Sequence, residues 1–292
     1  MKRKLAVLLS VLLCAFGLTA CSSSSASDTA SEDMAVYKTE AVALIDTLVN
    51  EQKTLDELKA EANDEDEAAA FEAGFSAWED AKEELERLYG IKVLAVAADV
   101  SAGADNEAVV ANVVKQTIDT FGSIDVLVNN AQASASGVPL ADHTTDQFNL
   151  ALYSGLYATF YYMKACYPYL KESKGSVINF ASGAGLFGNF GQCAYAAAKE
   201  GIRGLTRVAA TEWAKDGVNV NIICPLAWTA QLEQFKNAYP DAFDKNVHTP
   251  PMGHFGDSEL EIGRVCVQLA SPDFKYMTGE TITLEGGLGQ RP

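Results

Sequence analysis

The chain has 292 residues, of which 48% are hydrophobic, and its formal net charge at pH 7 is −17. A chain of this length and composition can form one large domain, or one ordinary domain with an appended segment. The negative charge argues against nucleic acid as a partner, because binding to nucleic acid depends on basic side chains that neutralise phosphates.

The first twenty residues are predicted to form an export signal. Three basic residues at 2–4 precede an apolar run that extends to about residue 17, and small residues then lead to Cys21. The run is too short to cross a bilayer as a mature helix. The stretch "LTAC" at 18–21, followed by serines, resembles the lipobox of bacterial lipoproteins.

That resemblance implies that residues 1–20 are removed and that Cys21 is lipidated. The expected location is then the outer side of the cell membrane, held by a lipid anchor. If the signal is not used, the expected location is the cytoplasm. Residues 21–33 are polar and rich in serine, which predicts a flexible tether.

Residues 34–88 are predicted to form an acidic helical segment. Apolar side chains recur at helical spacing on either side of the acidic run at 63–67. That run is interpreted as a solvated loop and not as a metal site, because it lacks the glycine-centred spacing of a calcium loop. Residues 22–90 hold 19 acidic and 5 basic residues, whereas 91–292 hold 20 and 14, so a domain boundary is predicted near residue 89.

From there on, strands alternate with helices. Continuous apolar strands joined by helices predict a parallel sheet covered on both faces, which is a Rossmann-like α/β fold. Four cysteines in this part have apolar surroundings, so buried free thiols are favoured over disulfides. The predicted strands are 92–100, 124–131, 175–182, 218–225 and 280–287; the predicted helices are 106–122, 146–172, the one that carries Tyr195, 228–245 and 258–270.

Several spaced motifs occur in this part in a fixed order. Ser182 stands thirteen residues before Tyr195, and Lys199 follows Tyr195 by four residues. The others are "AADV" (97–100), "LVNNA" (127–131), "YAAAK" (195–199), a proline that closes the strand at 225, and "TGETITLEGG" (278–287). This ordered set resembles the short-chain dehydrogenase/reductase family, the single-domain Rossmann enzymes that move hydride between NAD or NADP and a carbonyl or alcohol.

The spacing of Tyr195 and Lys199 also has a chemical rationale. Residues four apart on a helix share one face, so the Lys199 ammonium can lie beside the Tyr195 phenol and favour its phenolate form. The resemblance implies that Tyr195 is the general acid/base, that Ser182 hydrogen-bonds the substrate oxygen, and that Lys199 also holds the nicotinamide ribose. It further implies cofactor contacts from Asp99, Val100, Asn129, Ala131, Tyr195, Lys199 and Pro225. No metal is expected.

The remaining partner is expected to be a small apolar carbonyl or alcohol compound, and a homo-oligomer is left open. Residues 226–252 correspond to the variable substrate loop of the family. An aromatic stripe there favours core packing, with a lid over a bulky apolar substrate as the alternative.

The chain also departs from the family pattern. The glycine-rich turn that holds the cofactor pyrophosphate at a helix N-terminus is missing. Gly155 stands where the family has an asparagine that completes a proton relay, and Gln132 replaces a glycine. Because residues 22–90 offer no buried strand, the strand 92–100 is predicted to move beside 124–131, which would give five parallel strands and weak dinucleotide binding.

Two functions therefore stay open. The first is an NAD(P)-dependent oxidoreductase. The alternative is an exported lipoprotein whose Rossmann-like domain is catalytically impaired and serves as a binding module, or a fusion of two unrelated genes.

Overall fold

A computed structural model describes residues 4–10, 13–19, 82–83, 86–87, 90–96, 98, 100–101, 103–229, 232–233, 236–237 and 240–289. The predicted tether, the acidic run at 63–67, Cys21 and Asp99 lie outside these residues. Only the end of the predicted acidic segment is described, and there residues 82–83 and 86–87 are helical.

The described strands form one sheet. Continuous apolar runs form its central strands, and all four residues of the fourth strand are buried. The strands lie in the order β3-β2-β1-β4-β5-β6-β7. They are β1 (Lys4–Ser10), β2 (Leu13–Thr19), β3 (Lys92–Val96), β4 (Val126–Asn129), β5 (Ser176–Phe180), β6 (Asn219–Pro225) and β7 (Thr281–Leu284).

Strand β2 is antiparallel to the other strands of the sheet. β1 is parallel to β4, with Val7 opposite Val126, and β2 is antiparallel to both β1 and β3. β4, β5 and β6 are parallel neighbours. The amide of Ile222 donates to the Glu280 carbonyl, and that of Leu226 to the Leu284 carbonyl, each at 2.9 Å. Both bonds advance in the same sense along β6 and β7, so β7 is parallel as well.

The predicted five-stranded arrangement is therefore wrong. Strand β3 does not lie beside β4, because β1 and β2 stand between them. The apolar run interpreted as an export signal supplies the backbone partners that the sequence analysis sought only in residues 22–90. A gap of two strand widths would leave buried N–H and C=O groups unpaired, and β1 and β2 pair with them instead.

The helices lie close to their predicted places. Threonine at 144 caps the second helix in a reciprocal capping box with Gln147, and Gly122 ends the first helix in a left-handed conformation. The helices are α1 (Asn106–Phe121), α2 (Thr145–Ala151), α3 (Ala158–Ser173), α4 (Gly183–Phe187), α5 (Cys193–Trp213), α6 (Pro240–Asn246) and α7 (Arg264–Leu269). A π-helical turn, Leu152–Tyr157, joins α2 to α3, and another, Ser258–Gly263, precedes α7.

The main core lies between the sheet and helices α1, α3 and α5. Most of its members are aliphatic, and each large side chain contributes about 1.5–3 kcal/mol where it is fully buried. They include Val110, Val113, Ile124, Leu127, Met163, Leu170, Val177, Ala209 and Val220. Cys166, Cys224 and Cys266 are buried free thiols, as predicted, and Cys193 is partly buried and also free.

The chain divides into two compact units. The first comprises 1–21, 92–225 and 268–283, and the second comprises 22–91, 226–267 and 284–292. The site described below lies in the first unit. Within the described ranges, no helix is both long enough and apolar enough to cross a membrane.

Candidate functional site

The carboxyl ends of β4, β5 and β6 bring the predicted site residues to one edge of the sheet. Asn129 lies opposite Asn179, which lies opposite Ile222. In parallel strands with this register, residues a few places further along leave the sheet at the same edge. Ala131, Ser182 and Pro225 therefore belong to a single edge, where ligands of open α/β sheets bind.

Ser182 is held by the start of a short helix. It is the N-cap of α4, and its Oγ accepts a hydrogen bond from the Ala184 amide at 3.1 Å. Its side chain is also hydrogen-bonded to Tyr195. The structure thus joins the predicted serine and tyrosine directly.

Tyr195 and Lys199 lie on one face of α5, as their spacing predicts. The Lys199 Nζ is 5.4 Å from the centre of the Tyr195 ring and donates to the Phe180 carbonyl at 2.9 Å. Tyr195 is partly buried, whereas Lys199 is only 4% exposed. This geometry places the ammonium over the ring face and beside the last residue of β5.

Burial governs the protonation of both groups. It lowers the pKa of Lys199 to about 8, because a buried ammonium loses its hydration. It also raises the pKa of Tyr195, while the hydrogen bond from Ser182 lowers that pKa. The expected lowering of the Tyr195 pKa thus comes from Ser182 and is outweighed by burial, and Lys199 is not among its causes.

Asn129 anchors a chain of side-chain hydrogen bonds across the site. Its Nδ2 donates to Asn179 Oδ1 at 2.8 Å, and Asn179 Nδ2 donates to Thr206 Oγ1 at 2.8 Å. All three residues are buried. The chain links β4, β5 and α5, so it fixes the sheet edge relative to the helix that carries Tyr195.

The loop after β3 is tied to the π-helical turn between α2 and α3. The carbonyl of Val100 and that of Tyr153 both accept hydrogen bonds from Asn106 Nδ2, the latter at 3.1 Å. Asn106 is fully buried at the start of α1. The backbone at Val100 is therefore fixed.

The two departures at Gln132 and Gly155 meet in space. A Cβ atom at position 155 would lie 2.6 Å from Gln132 Cδ and 2.9 Å from both terminal atoms of that amide. The Gln132 Nε2 donates to the Ala151 carbonyl at 3.3 Å. The glutamine side chain thus occupies the space that any side chain at 155 would need, a relation that the sequence spacing did not reveal.

Comparisons with known proteins identify the family of this chain. A family model described as enoyl-(acyl carrier protein) reductase matches residues 59–289. The 12alpha-hydroxysteroid dehydrogenase of Clostridium sp. (strain ATCC 29733 / VPI C48-50) is 72% identical over 213 residues, which cover 73% of this chain and 82% of the relative. This chain is a short-chain dehydrogenase/reductase.

More distant relatives have the same family character. The 3-oxoacyl-[acyl-carrier-protein] reductase FabG of Staphylococcus epidermidis (strain ATCC 35984) is 32% identical over 68% of this chain and 79% of the relative. The solved structure "ElxO with NADP Bound" matches with a TM-score of 0.59 and 29% identity, over 66% of this chain and 77% of that one. The short-chain dehydrogenase/reductase described here is accordingly an oxidoreductase that acts on CH–OH and carbonyl groups with NAD(P).

The residues fit the nicotinamide half of that cofactor better than the pyrophosphate half. Asn129 and Pro225 lie at the carboxyl edge of the sheet, and Lys199, beside Tyr195, donates to the Phe180 carbonyl at the same edge. Open α/β sheets bind ligands at such an edge. On the other side, β1 pairs with the antiparallel strand β2 that follows it in the sequence, and the two residues between these strands, Val11 and Leu12, include no glycine. A glycine-rich turn before a helix N-terminus is what brings backbone N–H groups to a pyrophosphate.

One positively charged residue near the site escaped the sequence analysis. Arg203 follows Lys199 by four residues on α5 and is 1% exposed. Its Nη2 lies 3.2 Å from the Ser182 carbonyl oxygen and 3.6 Å from Cys224 Sγ. The same four-residue spacing that identified Lys199 could have identified Arg203.

The aromatic stripe of the substrate loop packs on itself in the second unit. The ring of Trp228 is 6.1 Å from that of Phe243 and 5.5 Å from that of Phe255, both edge to face. Phe243 is buried. Phe243 is packed as the core interpretation predicts, whereas Trp228 is 38% exposed, and Phe235 and Tyr239 lie outside the described residues.

Proposed function

We propose that this chain interconverts a secondary hydroxyl group and a ketone on a steroid or a similarly bulky apolar compound. The observation that carries the proposal is the 72% identity to a 12alpha-hydroxysteroid dehydrogenase over 213 residues. Identity at that level, with the serine, tyrosine and lysine all present at one sheet edge, supports a related substrate class.

An apolar surface beside Ser182 supports the same substrate class. The side chains of Phe187 and Phe190 are 55% and 83% exposed, and both follow Ser182 closely in the chain. The loop after β4 adjoins this surface, since the Gly137 amide donates to the Gly191 carbonyl at 2.9 Å. Exposed aromatic side chains next to the reacting groups suit a flat apolar ring system.

In this mechanism Ser182 and Tyr195 act on the substrate oxygen. When bound, NAD(P)H supplies the hydride that reduces the carbonyl carbon. Tyr195 donates its phenolic proton to the carbonyl oxygen as that carbon becomes C–H, and Ser182 hydrogen-bonds the same oxygen and orients the phenol. Lys199 and Asn129 hold the helix and the strand end in place and, with Pro225, line the nicotinamide side.

The test compares the chain with its Tyr195→Phe variant, using a 12-oxo steroid with NADH and with NADPH. Removing the proton donor should lower kcat by about 10²–10⁴-fold, with little change in cofactor binding by nicotinamide fluorescence. Ala197→Ser on the same helix turn, which is exposed, serves as the control. A fully active Tyr195→Phe variant would contradict the role of Tyr195 as proton donor.

The glycine-free link between β1 and β2 favours a second candidate. On that reading, the chain is a catalytically impaired binding module, or a fusion of two genes. The fluorescence titration separates the two, because steroid binding without detectable NADH or NADPH binding supports the module and excludes turnover.

We also propose that residues 1–20 direct export and that Cys21 carries lipid when the signal is used. The basic start, the apolar run and "LTAC" support this. Residues 4–19 cannot be both removed and paired in the sheet, so the two states exclude one another. Mass spectrometry of the N-terminal peptide from membrane and soluble fractions distinguishes them; an intact Met1 in every fraction contradicts lipidation.

We propose that the chain forms a homo-oligomer, because α3 and α5 each expose an apolar side chain. Phe160 and Val208 are 41% and 55% exposed although both are apolar. Light scattering of the purified chain tests this, and a monomeric mass at micromolar concentration rejects it.

A further inference from the structure

Arg203 is a buried cation that the reaction scheme above does not use. It is the largest of the fully buried side chains in the described ranges. A guanidinium cannot lose its charge at any ordinary pH, so burial is tolerated only where its N–H groups are hydrogen-bonded. The hydrogen-bond partners of Arg203 therefore indicate which parts of the structure the guanidinium holds in place.

Those partners come from four places in the first unit. Nη1 donates to Thr281 Oγ1 of β7 at 3.0 Å, and Nη2 donates to the Ser182 carbonyl at 3.2 Å. Nε donates to both carboxylate oxygens of Glu200, at 3.1 and 3.2 Å. Nη2 also reaches Cys224 Sγ, near the end of β6, at 3.6 Å.

The contact with Ser182 connects Arg203 to the proton donor. Tyr195, Lys199 and Arg203 succeed one another at four-residue intervals on α5, so they share one face. The Ser182 backbone is bound by Arg203 while the Ser182 side chain is bound to Tyr195. Ser182 is therefore bonded to α5 twice, through its carbonyl to Arg203 and through its side chain to Tyr195.

We propose that Arg203 is a positioning residue, which holds Ser182 at the place where its hydroxyl engages both Tyr195 and the substrate oxygen. The inference rests on the proposed roles of Ser182 and Tyr195. It requires the planar fork of arginine, because Thr281, Ser182 and Glu200 are bound by three different nitrogens at once. A lysine at 203 retains the charge but has one nitrogen and cannot make these bonds together.

The proposal gives a signed effect on the pH profile. The Ser182 hydrogen bond lowers the Tyr195 pKa, so a displaced Ser182 lets that pKa rise. Alcohol oxidation needs the Tyr195 phenolate. When the Tyr195 pKa rises, the pH at which the oxidation rate is half-maximal therefore rises as well. The other ionisable groups around these residues are Lys199 and Cys224 beside Tyr195, and Glu200 on Arg203; all three are left unchanged in the test.

The experiment measures steady-state oxidation of a 12-hydroxysteroid with NAD and NADP across pH for Arg203→Lys. The matched control is Arg207→Lys, one turn further along α5, where the arginine is exposed. We expect kcat to fall about 10- to 100-fold in Arg203→Lys, with the KM for cofactor nearly unchanged. The half-maximal pH should rise by about half a unit or more, and Arg207→Lys should match the parent chain.

A second variant separates positioning from folding. Arg203→Ala leaves a hole with the size of a guanidinium, so added guanidinium at millimolar concentration should restore part of kcat, whereas equal sodium chloride should not. If Arg203→Ala does not fold, Arg203→Lys alone decides. An unshifted pH profile with kcat within about twofold of the parent overturns the inference, whatever the loss of thermal stability.

The outcome is distinguishable from failure of the proposed function. If Tyr195→Phe is inactive but Arg203→Lys behaves as the control, the mechanism stands and the role of Arg203 falls. If Tyr195→Phe is fully active, the mechanism itself is wrong.

Discussion

Lys199 shows how far burial changes the chemistry of a single residue. Its ammonium is 4% exposed and donates to the Phe180 carbonyl at 2.9 Å. Loss of hydration lowers its pKa to about 8, well below that of a free lysine. The position of Lys199 in the site therefore carries a cost in folding stability that depends on pH.

The lowered pKa of Lys199 predicts that its contribution to folding stability rises with pH. A buried lysine with a lowered pKa binds fewer protons in the folded chain than in the unfolded chain between pH 8 and about 10.5. The contribution of Lys199 to the free energy of unfolding should therefore increase across that window, by on the order of 3 kcal/mol in the limit. Urea unfolding at several pH values measures it.

Lys199→Met removes the titrating group, so its unfolding free energy should lack this rise. Lys115→Met on α1, where the side chain is 72% exposed, is the control and should retain the rise seen in the parent chain. A rise of equal size in Lys199→Met would show that another group titrates. Burial also raises the pKa of the Cys166 and Cys266 thiols and of Tyr195, and these groups lower stability above their ordinary pKa values near 9 and 10. The Lys199 contribution is therefore measured as the difference between the parent chain and Lys199→Met.

At the scale of elements, the π-helical turn and the loop after β4 are fitted to one another. Leu152–Tyr157 adds a π-helical turn between α2 and α3, and such turns often occur at functional sites. Gly155 in this turn leaves room for the Gln132 amide, which approaches to within 2.6 Å of where a Cβ would be. The glycine and the glutamine are thus a matched pair from two elements distant in sequence.

This pairing changes the expected result of restoring asparagine at 155. The family resemblance implies that Gly155→Asn raises turnover if the proton relay limits it. The structure predicts that Gly155→Asn alone displaces Gln132, with a loss of about 1–3 kcal/mol in stability and no gain in kcat. Gly155→Asn combined with Gln132→Gly should recover most of that stability and is where a gain in kcat is expected.

A double-mutant cycle on kcat and on urea unfolding measures the coupling. Gly204→Asn, at an open position of α5, is a control for the cost of asparagine in a helix. Additive effects of the two substitutions would contradict the pairing, since residues in contact normally couple by about 0.5–3 kcal/mol.

At the scale of the whole molecule, the sheet depends on strands β1 and β2. β1 is paired on both sides, to β2 and to β4, and β2 is paired to β3. A central strand tolerates proline poorly, because proline cannot donate to the ladder and is confined to edges and bulges. The same residues would carry no such constraint if they were cleaved from the mature chain.

Leu8→Pro should therefore destabilise the full-length chain by at least the roughly 1–3 kcal/mol that an unsatisfied buried backbone group costs. Ser24→Pro, in the predicted tether, is the control and should leave the midpoint of urea unfolding unchanged. An unchanged midpoint for Leu8→Pro would mean that residues 4–10 do not complete the sheet of the folded protein.

Dinucleotide affinity is the second whole-molecule expectation. Among the described residues, β1 is followed by the antiparallel strand β2 and not by a helix whose N-terminus could bind a pyrophosphate. Weak binding of NADH and NADPH is expected from this, although the five-stranded arrangement from which the sequence analysis derived it is wrong. Micromolar affinity in the fluorescence titration would contradict it.

The sequence by itself determined the family, the parallel α/β pattern and the proximity of Tyr195 and Lys199, because these depend on local periodicity. Helical spacing puts residues four apart on one face in any environment, and apolar runs form buried strands wherever a sheet receives them. Ser182 was also predictable, since its distance from Tyr195 is fixed by one strand-to-helix connection.

The tertiary structure alone decided the rest. Which strands lie between β3 and β4 depends on long-range pairing, and a short apolar run suits a signal peptide and a buried strand equally well. The fit of Gln132 to Gly155 and the bonds from Arg203 to Ser182 and Thr281 join residues 21 to 78 places apart. No local pattern encodes such contacts, because they arise only when the packed elements bring the side chains together.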